Sequence, residues 1–194
     1  MVIKLVDILV RLAKKEHSRR RMILGIIIGA IVFIIIVPAS IIYVALIIDN
    51  MYSLKPIHEF IPYFKPCNIV LGVILMVLGL FFVGWATYTQ WRHGKGSPLP
   101  IAPTQELVTT GLYAYCRNPM MLGTILYYLG LVLLVGSLTG VVLVVLVEVL
   151  YGVYIKFVEE KELELRFGRE YMEYRKYTPF IILCLRRRKR FKQP

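Results

Sequence analysis

Apolar residues fall in three long blocks, set apart by polar and basic segments. The first runs from about Met22 to Ile48, 27 residues with no charge, and carries Pro38, which predicts a kink. The second runs from about Cys67 to Trp91. Its end turns polar and aromatic at Trp85, Thr87, Tyr88, Gln90 and Trp91. The third, Met120 to Phe157, is too long for one crossing. Gly136-Ser137-Leu138-Thr139-Gly140 is its one small-residue turn signal and divides it into a hairpin. Continuous apolar runs of this length predict membrane helices. The fold expected is all-α: a polytopic membrane helix bundle with spans at about 22–48, 67–91, 119–135 and 139–157. A fifth short span near the first twenty residues or near Phe180–Leu185 stays open.

Two further segments show helical spacing. In residues 1–17, Ile3, Val6 and Val10 alternate with Lys4, Arg11 and Lys14, which predicts an interfacial helix within a basic leader, residues 1–21. In residues 159–179, Leu163, Phe167, Tyr171 and Tyr174 form one apolar stripe. Glu162–Arg166 and Arg169–Glu173 are i,i+4 pairs on the other side. This segment is expected to leave the fourth span as a helix along the membrane surface, with Gly168 marking a break or a close contact. Residues 22–194 are expected to form a single domain, since no linker divides them.

Composition agrees. Hydrophobic residues make up 58% of the 194. The net charge of +12 points to topology and anionic lipid head groups, not to nucleic acid, because the basic residues flank the spans. Seven Lys and Arg precede the first span, two lie in the Asp49–Pro66 loop, and twelve follow the fourth span, from Lys156 to Lys192. The positive-inside rule therefore puts both termini and the Arg92–Asn118 loop in the cytoplasm. The three cysteines and three histidines are scattered, so neither a metal site nor a disulfide framework is expected. The first twenty residues are too charged for a cleaved signal peptide. Gly25 and Gly29 fit a small-xxx-small pattern, a weak pointer to self-association, and a monomer is the expectation.

The candidate chemistry sits in two cassettes. Leu107 to Gly123 reads LVTTGLYAYCRNPMMLG. Gly111 permits a turn, and Asn118-Pro119 is a helix start whose free amides favour an anion. Arg117 adds a planar cation that matches a carboxylate, and Tyr113 and Tyr115 add flat amphipathic surface. The second cassette opens on Glu159-Glu160, carboxylates able to meet a ribose or a cationic group. Glu148, an acid within a span, is a further candidate; eleven residues before Glu159, it projects from roughly the same helix face.

These motifs carry a resemblance. LVTTGLYAYCRNPMMLG resembles the "LVTxGxYxxxRHPxYxG" signature of the isoprenylcysteine carboxyl methyltransferases and related membrane methyltransferases. EEKELELRFGREYMEYRKYTP resembles their "EExxLxxxFGxxYxxYxxxVP". The two occur in the right order across one helical hairpin. The resemblance implies S-adenosylmethionine as methyl donor, bound on a cytoplasmic loop, and a prenylated or other lipid substrate in the bilayer as acceptor. It places Gln105, Glu106, Leu107, Val108, Tyr113, Asn118, Pro119, Met120, Met121 and Glu159 on cofactor-binding positions. There are departures. Asn118 stands at the family His, Met121 at its second Tyr, Gln105-Glu106 at the His before LVT, Tyr177 at the Arg before Val-Pro, and Ile155, next to Lys156, at an upstream Arg.

Methyl transfer to a carboxylate needs alignment and desolvation and no general base. The catalytic set expected from the resemblance is Arg117 or Lys156 as the cation that orients the acceptor, with Glu159 as the acidic contact. No GxGxxG element is present, which excludes a soluble-type dinucleotide fold. Alternatives are a phospholipid or small-lipid methyltransferase, an NADPH-dependent sterol-type reductase, and a non-catalytic membrane scaffold.

Overall fold

The computed structural model describes Val6, Val10, Arg11 and residues 18–60, 64–97, 99 and 102–181. Most of the expected interfacial helix at residues 1–17, and the part of the Phe180–Leu185 segment beyond Ile181, lie outside these. The described residues form helices joined by turns and loops, with no strand among them. The elements are α1 (Arg19–Ala30), a π-helical turn (Ile31–Ile36), α2 (Val37–Met51), α3 (Ile57–Phe60), α4 (Phe64–His93), a 3-10 turn (Gly111–Ala114), α5 (Pro119–Val135), α6 (Leu138–Tyr154), a second π turn (Ile155–Glu159) and α7 (Glu160–Tyr177). Three continuous stretches, Arg19–Met51, Cys67–His93 and Leu138–Tyr177, are long and apolar enough to cross a membrane. The apolar helix Pro119–Val135 is shorter, at 17 residues, about the minimum for a crossing.

The chain forms two compact units. One comprises Ala30–Val83 and Met121–Tyr151 and is a bundle of apolar helices. Within it, α4 and α5 meet through glycines seven residues apart on each helix. A Cβ on Gly72 would come within 2.9 Å of the Gly130 carbonyl, and one on Gly79 within 2.6 Å of the Gly123 carbonyl. Only hydrogen fits between these backbones, which is how membrane helices gain packing when lipid offers no hydrophobic drive. Ile41, Tyr128, Val132 and Val144 form the buried core of this unit.

The break expected at Pro38 takes a specific form. Proline has no N–H to donate and crowds the preceding turn. The helix widens to π over Ile31–Ile36 just before it. Carbonyls of that turn are met by side chains: Tyr128 donates to the Phe33 carbonyl at 2.7 Å and Tyr127 to the Ile34 carbonyl at 3.1 Å. Buried carbonyls in a lipid-facing helix need such partners.

The expected hairpin turn lies at Gly136-Ser137. Gly136 has φ 78°, and Ser137 caps α6 by accepting the Gly140 amide at 2.9 Å. Asp49 accepts the Ser137 hydroxyl at 2.6 Å and also the Thr139 hydroxyl. Glu148 is buried in this unit, with one carboxylate oxygen lacking a hydrogen-bond partner among the described residues. Glu159 belongs to the other unit, and the π turn Ile155–Glu159 interrupts the helical phase expected between them.

The second unit comprises Met1–Gly29, Gly84–Met120 and Gly152–Pro194. It holds both cassettes. Gly25 and Gly29 are buried in it against Ser97 and Leu99. This small-residue face is thus occupied by the chain's own loop.

Candidate functional site

Glycine decides the shape of the second cassette. Inside α7, Gly168 has φ 52° and ψ −122°, a backbone conformation essentially confined to glycine. A Cβ there would meet nothing within 4 Å. The residue is therefore required by the bend, not by a close neighbour. The bend is sharp. Glu160 and Arg175, fifteen positions apart, would be separated by about 22 Å along a straight helix, yet Arg175 Nε lies 3.6 Å from Glu160 Oε2. The helix expected to run on along the membrane surface is folded back on itself.

Folding back turns the apolar stripe inward onto the first cassette. Leu107, Tyr171 and Tyr174 form a buried cluster, with Leu163 and Phe167 packed on it. The Tyr174 hydroxyl donates to the Tyr113 carbonyl at 2.6 Å. Burial raises the phenols of Tyr113, Tyr171 and Tyr174 well above their ordinary value, so all three stay neutral. Arg166, on α7, donates to Glu162 at 2.7 Å and also to the Thr104 carbonyl, tying the loop to the helix. The tail after α7 closes the other side. Arg117 N–H donates to the Pro179 carbonyl at 2.9 Å, Asn118 N–H to the Phe180 carbonyl at 3.1 Å, and Asn118 Nδ2 to that same carbonyl at 2.9 Å. The backbone amide of Asn118, expected to be free for an anion, is committed to this tail.

Between the cassettes lies a cleft lined by Gln90, Thr104, Leu107, Val108, Tyr113, Arg117, Asn118, Ile155, Glu159, Glu160, Leu163, Tyr171 and Tyr174. A second recess shares Gln90, Thr104, Glu159 and Leu163 with it. The enclosed volumes are about 70 and 130 Å³.

Three carboxylates occupy the first turn of α7 and its approach, with unequal partners. Glu160 meets Arg117 at 3.1 Å and Arg175 at 3.6 Å, and Glu162 meets Arg166 at 2.7 Å. Glu159 makes no ion pair among the described residues and lines both recesses. Desolvation, followed by the charge of Glu162, pushes it from the ordinary 4.5 up to about 7. Arg117 shows the converse. Its Nε and Nη1 are buried without hydrogen-bond partners among the described residues, although its Nη2 lies near Glu160. Gln90 Oε1 is likewise buried and unmatched. Burial lifts the Cys116 thiol to about 11, which removes it as a nucleophile.

Of the residues singled out in the sequence, Leu107, Val108, Tyr113, Arg117, Asn118 and Glu159 come together at the cleft. Gln105, Glu106, Pro119, Met120 and Lys156 do not line either recess. Gln105 Nε2 turns back to the Pro103 carbonyl at 3.0 Å, Glu106 is exposed and paired with Lys95, Pro119 is buried as α5 begins, and Lys156 is exposed. Met121 is buried in the other unit. Gln90 and Thr104 lie outside both motifs, at the polar end of α4 and just before the first cassette, and only the fold brings them to the cleft. Glu160, Tyr171 and Tyr174 were read as motif or stripe positions, and their place on the cleft depends on the bend at Gly168.

The two cassettes are brought together by a folded-back helix around a polar cleft, in a chain whose apolar helices are long enough to cross a membrane. The profile of the phospholipid methyltransferase family matches residues 67–170. That is more than half of the sequence, and the chain belongs to this family. It is 37% identical over 114 residues to the protein-S-isoprenylcysteine O-methyltransferase of Rattus norvegicus, covering 57% of this chain and 37% of that one. It is also 37% identical over 114 residues to the protein of the same name from Mus musculus, covering 56% and 38%. The chain thus spans little more than a third of the length of these curated relatives. No solved structure matches it. The family resemblance carried by the two motifs is borne out.

Proposed function

We propose that this protein is a membrane methyltransferase that takes S-adenosylmethionine as donor and methylates the carboxylate of a lipid-embedded acceptor, such as a C-terminal prenylcysteine. One observation carries this reading: a single cleft, built from both motifs, holds a carboxylate without an ion pair and a guanidinium with unmatched nitrogens. S-adenosylmethionine is a zwitterion with an added sulfonium charge, and the cleft offers groups of both signs. The residues therefore fit it. Glu159 would meet its cationic part, Arg117 a carboxylate, Gln90 Oε1 a donor, and Leu107, Val108 and Tyr113 the apolar and aromatic surface.

The cofactor would supply an electrophilic methyl group, which an ionised carboxylate attacks without help from a base. What the chain contributes is orientation and dryness. Leu107, Leu163 and the neutral phenols of Tyr113, Tyr171 and Tyr174 exclude water, which strengthens charge interactions within the cleft. Arg117 is the cation available to align an acceptor, because Lys156 is exposed and outside both recesses. The enclosed volumes lie below the roughly 300–1,000 Å³ usual for ligand sites, so loading must widen the cleft.

The lysine and arginine distribution supports a cytoplasmic side for both termini and the cleft, on four spans with α5 as the third. A phospholipid amine is the second acceptor class, favoured by the carboxylate of Glu159, which suits a cationic nitrogen as well as a sulfonium. Incubating the purified protein with methyl-labelled S-adenosylmethionine and either a farnesylcysteine analogue or phosphatidylethanolamine vesicles separates them. Label in the farnesylcysteine ester is expected; label only in the phospholipid would replace the acceptor, and label in neither would remove the enzyme reading. Binding of NADPH in place of S-adenosylhomocysteine would point instead to the reductase class.

A further inference from the structure

The proposed function leaves Glu160 without a task, and its surroundings supply one. It is 3% exposed and stands between two guanidinium groups, Arg117 from the first cassette and Arg175 from beyond the bend in α7. The Arg117 contact is close, yet Glu160 Oε1 has no hydrogen-bond partner among the described residues. The pair is a charge contact, not an aligned fork. An aligned two-pronged pair would have used two guanidinium nitrogens on one carboxylate. Here Nη2 lies 3.1 Å from Glu160, and Nε and Nη1 are buried without hydrogen-bond partners among the described residues. Leaving such donors buried costs stability unless something else meets them. The Phe180 ring lies 5.8 Å from the guanidinium carbon, and the backbone bond from Arg117 to Pro179 holds the main chain that carries it. Arg117 and Arg175 together place two positive charges against the single carboxylate of Glu160.

We infer that Glu160 is a positioning residue: held by Arg175 across the bend, it fixes Arg117 so that an unmatched donor, Nε–H or Nη1–H, is left to meet a ligand carboxylate. This rests on the proposed function, because the carboxylate belongs either to the amino-acid end of the cofactor or to the acceptor. Arg175 is 42% exposed at its side chain, so it tests the arrangement with little risk to folding.

The test is calorimetric titration of the full chain in detergent, wild type beside Glu160→Gln and Arg175→Gln. The ligands are S-adenosylhomocysteine and 5′-methylthioadenosine, which lacks the carboxylate. A KM measurement with a farnesylcysteine analogue completes it. If the carboxylate is the cofactor's, Glu160→Gln weakens S-adenosylhomocysteine about tenfold and leaves methylthioadenosine unchanged. If it is the acceptor's, both nucleosides bind as in wild type and the acceptor KM rises with kcat nearly constant. Arg175→Gln shifts the same quantity in the same direction by a smaller factor. Equal loss of both nucleosides, or no change in any of the three quantities in either variant, overturns the positioning role. Failure of the wild type to bind S-adenosylhomocysteine overturns the cofactor reading itself, and the inference with it.

Discussion

At the scale of single residues, the site is governed by which charges are satisfied. Three carboxylates crowd into four positions, 159 to 162, and three arginines answer them, two on Glu160 and one on Glu162. Glu159 is left to carry its desolvation alone. A carboxyl whose folded value is raised from 4.5 to about 7 binds a proton more tightly folded than unfolded. Its contribution favours the folded state at acid pH and is lost as pH rises through that interval. A cationic ligand needs the ionised form. Affinity for S-adenosylmethionine should therefore climb as pH passes upward through about 7, and Glu159→Gln should flatten that climb. Calorimetry on either side of this pH checks it; the same slope in the variant would assign the linkage to another group. The presence of Glu159, Arg117 and Tyr113 at one site was legible from the motifs. The partners were not. Arg117 to Glu160 and Asn118 to Phe180 span 43 and 62 positions, and pairing at such distance leaves no periodicity to read.

At the scale of elements, helix ends and breaks followed local chemistry closely. The run Pro119–Val135, the Gly136 turn and the Ser137 cap stand where small residues and proline predicted them. Pro38 predicted a kink, and the structure answers with a π turn whose carbonyls are taken by Tyr127 and Tyr128. No sequence pattern marks those tyrosines as partners of the turn, since the carbonyls they meet lie 93 and 95 residues away. Tyr128→Phe should cost about 0.6–1.7 kcal/mol, the range for hydrogen bonds between membrane helices, seen as a lowered thermal midpoint in detergent. An unchanged midpoint would mean that water or lipid replaces the hydroxyl. Gly168 was legible as a break but not as a reversal, because nothing in the local pattern gives the angle. Gly168→Ala forces a side chain into a glycine conformation, a strain of about 1–3 kcal/mol. The expected result is weakened S-adenosylhomocysteine binding together with a lower midpoint. Retention of both would show that α7 keeps its bend without glycine.

At the scale of the whole molecule, the apolar runs identified an all-helical membrane protein. Of the glycines that bring α4 and α5 together, Gly123 closes the first motif, whereas Gly72, Gly79 and Gly130 each lie alone in an apolar stretch. Gly79→Leu places a large side chain where even a Cβ would lie 2.6 Å from the Gly123 carbonyl. It should abolish recovery of monodisperse protein, whereas Gly84→Leu, at a site with nothing within 4 Å, should be tolerated. Size-exclusion profiles compare the two, and equal recovery would refute the close crossing. Orientation rests on charge alone and has its own check. A cysteine at Leu54 in a variant lacking the native cysteines should react with a membrane-impermeant maleimide on intact cells, and one at His93 only after permeabilisation.

The central claim is that the two cassettes enclose a site for S-adenosylmethionine with Glu159 as its acidic contact. Titration of the purified full chain with S-adenosylhomocysteine, wild type against Glu159→Gln, tests it most directly. Saturable one-to-one binding in the wild type, weakened at least tenfold in the variant while its thermal midpoint is maintained, is the result expected. Absence of binding in the wild type, or equal affinity in both proteins, would contradict it.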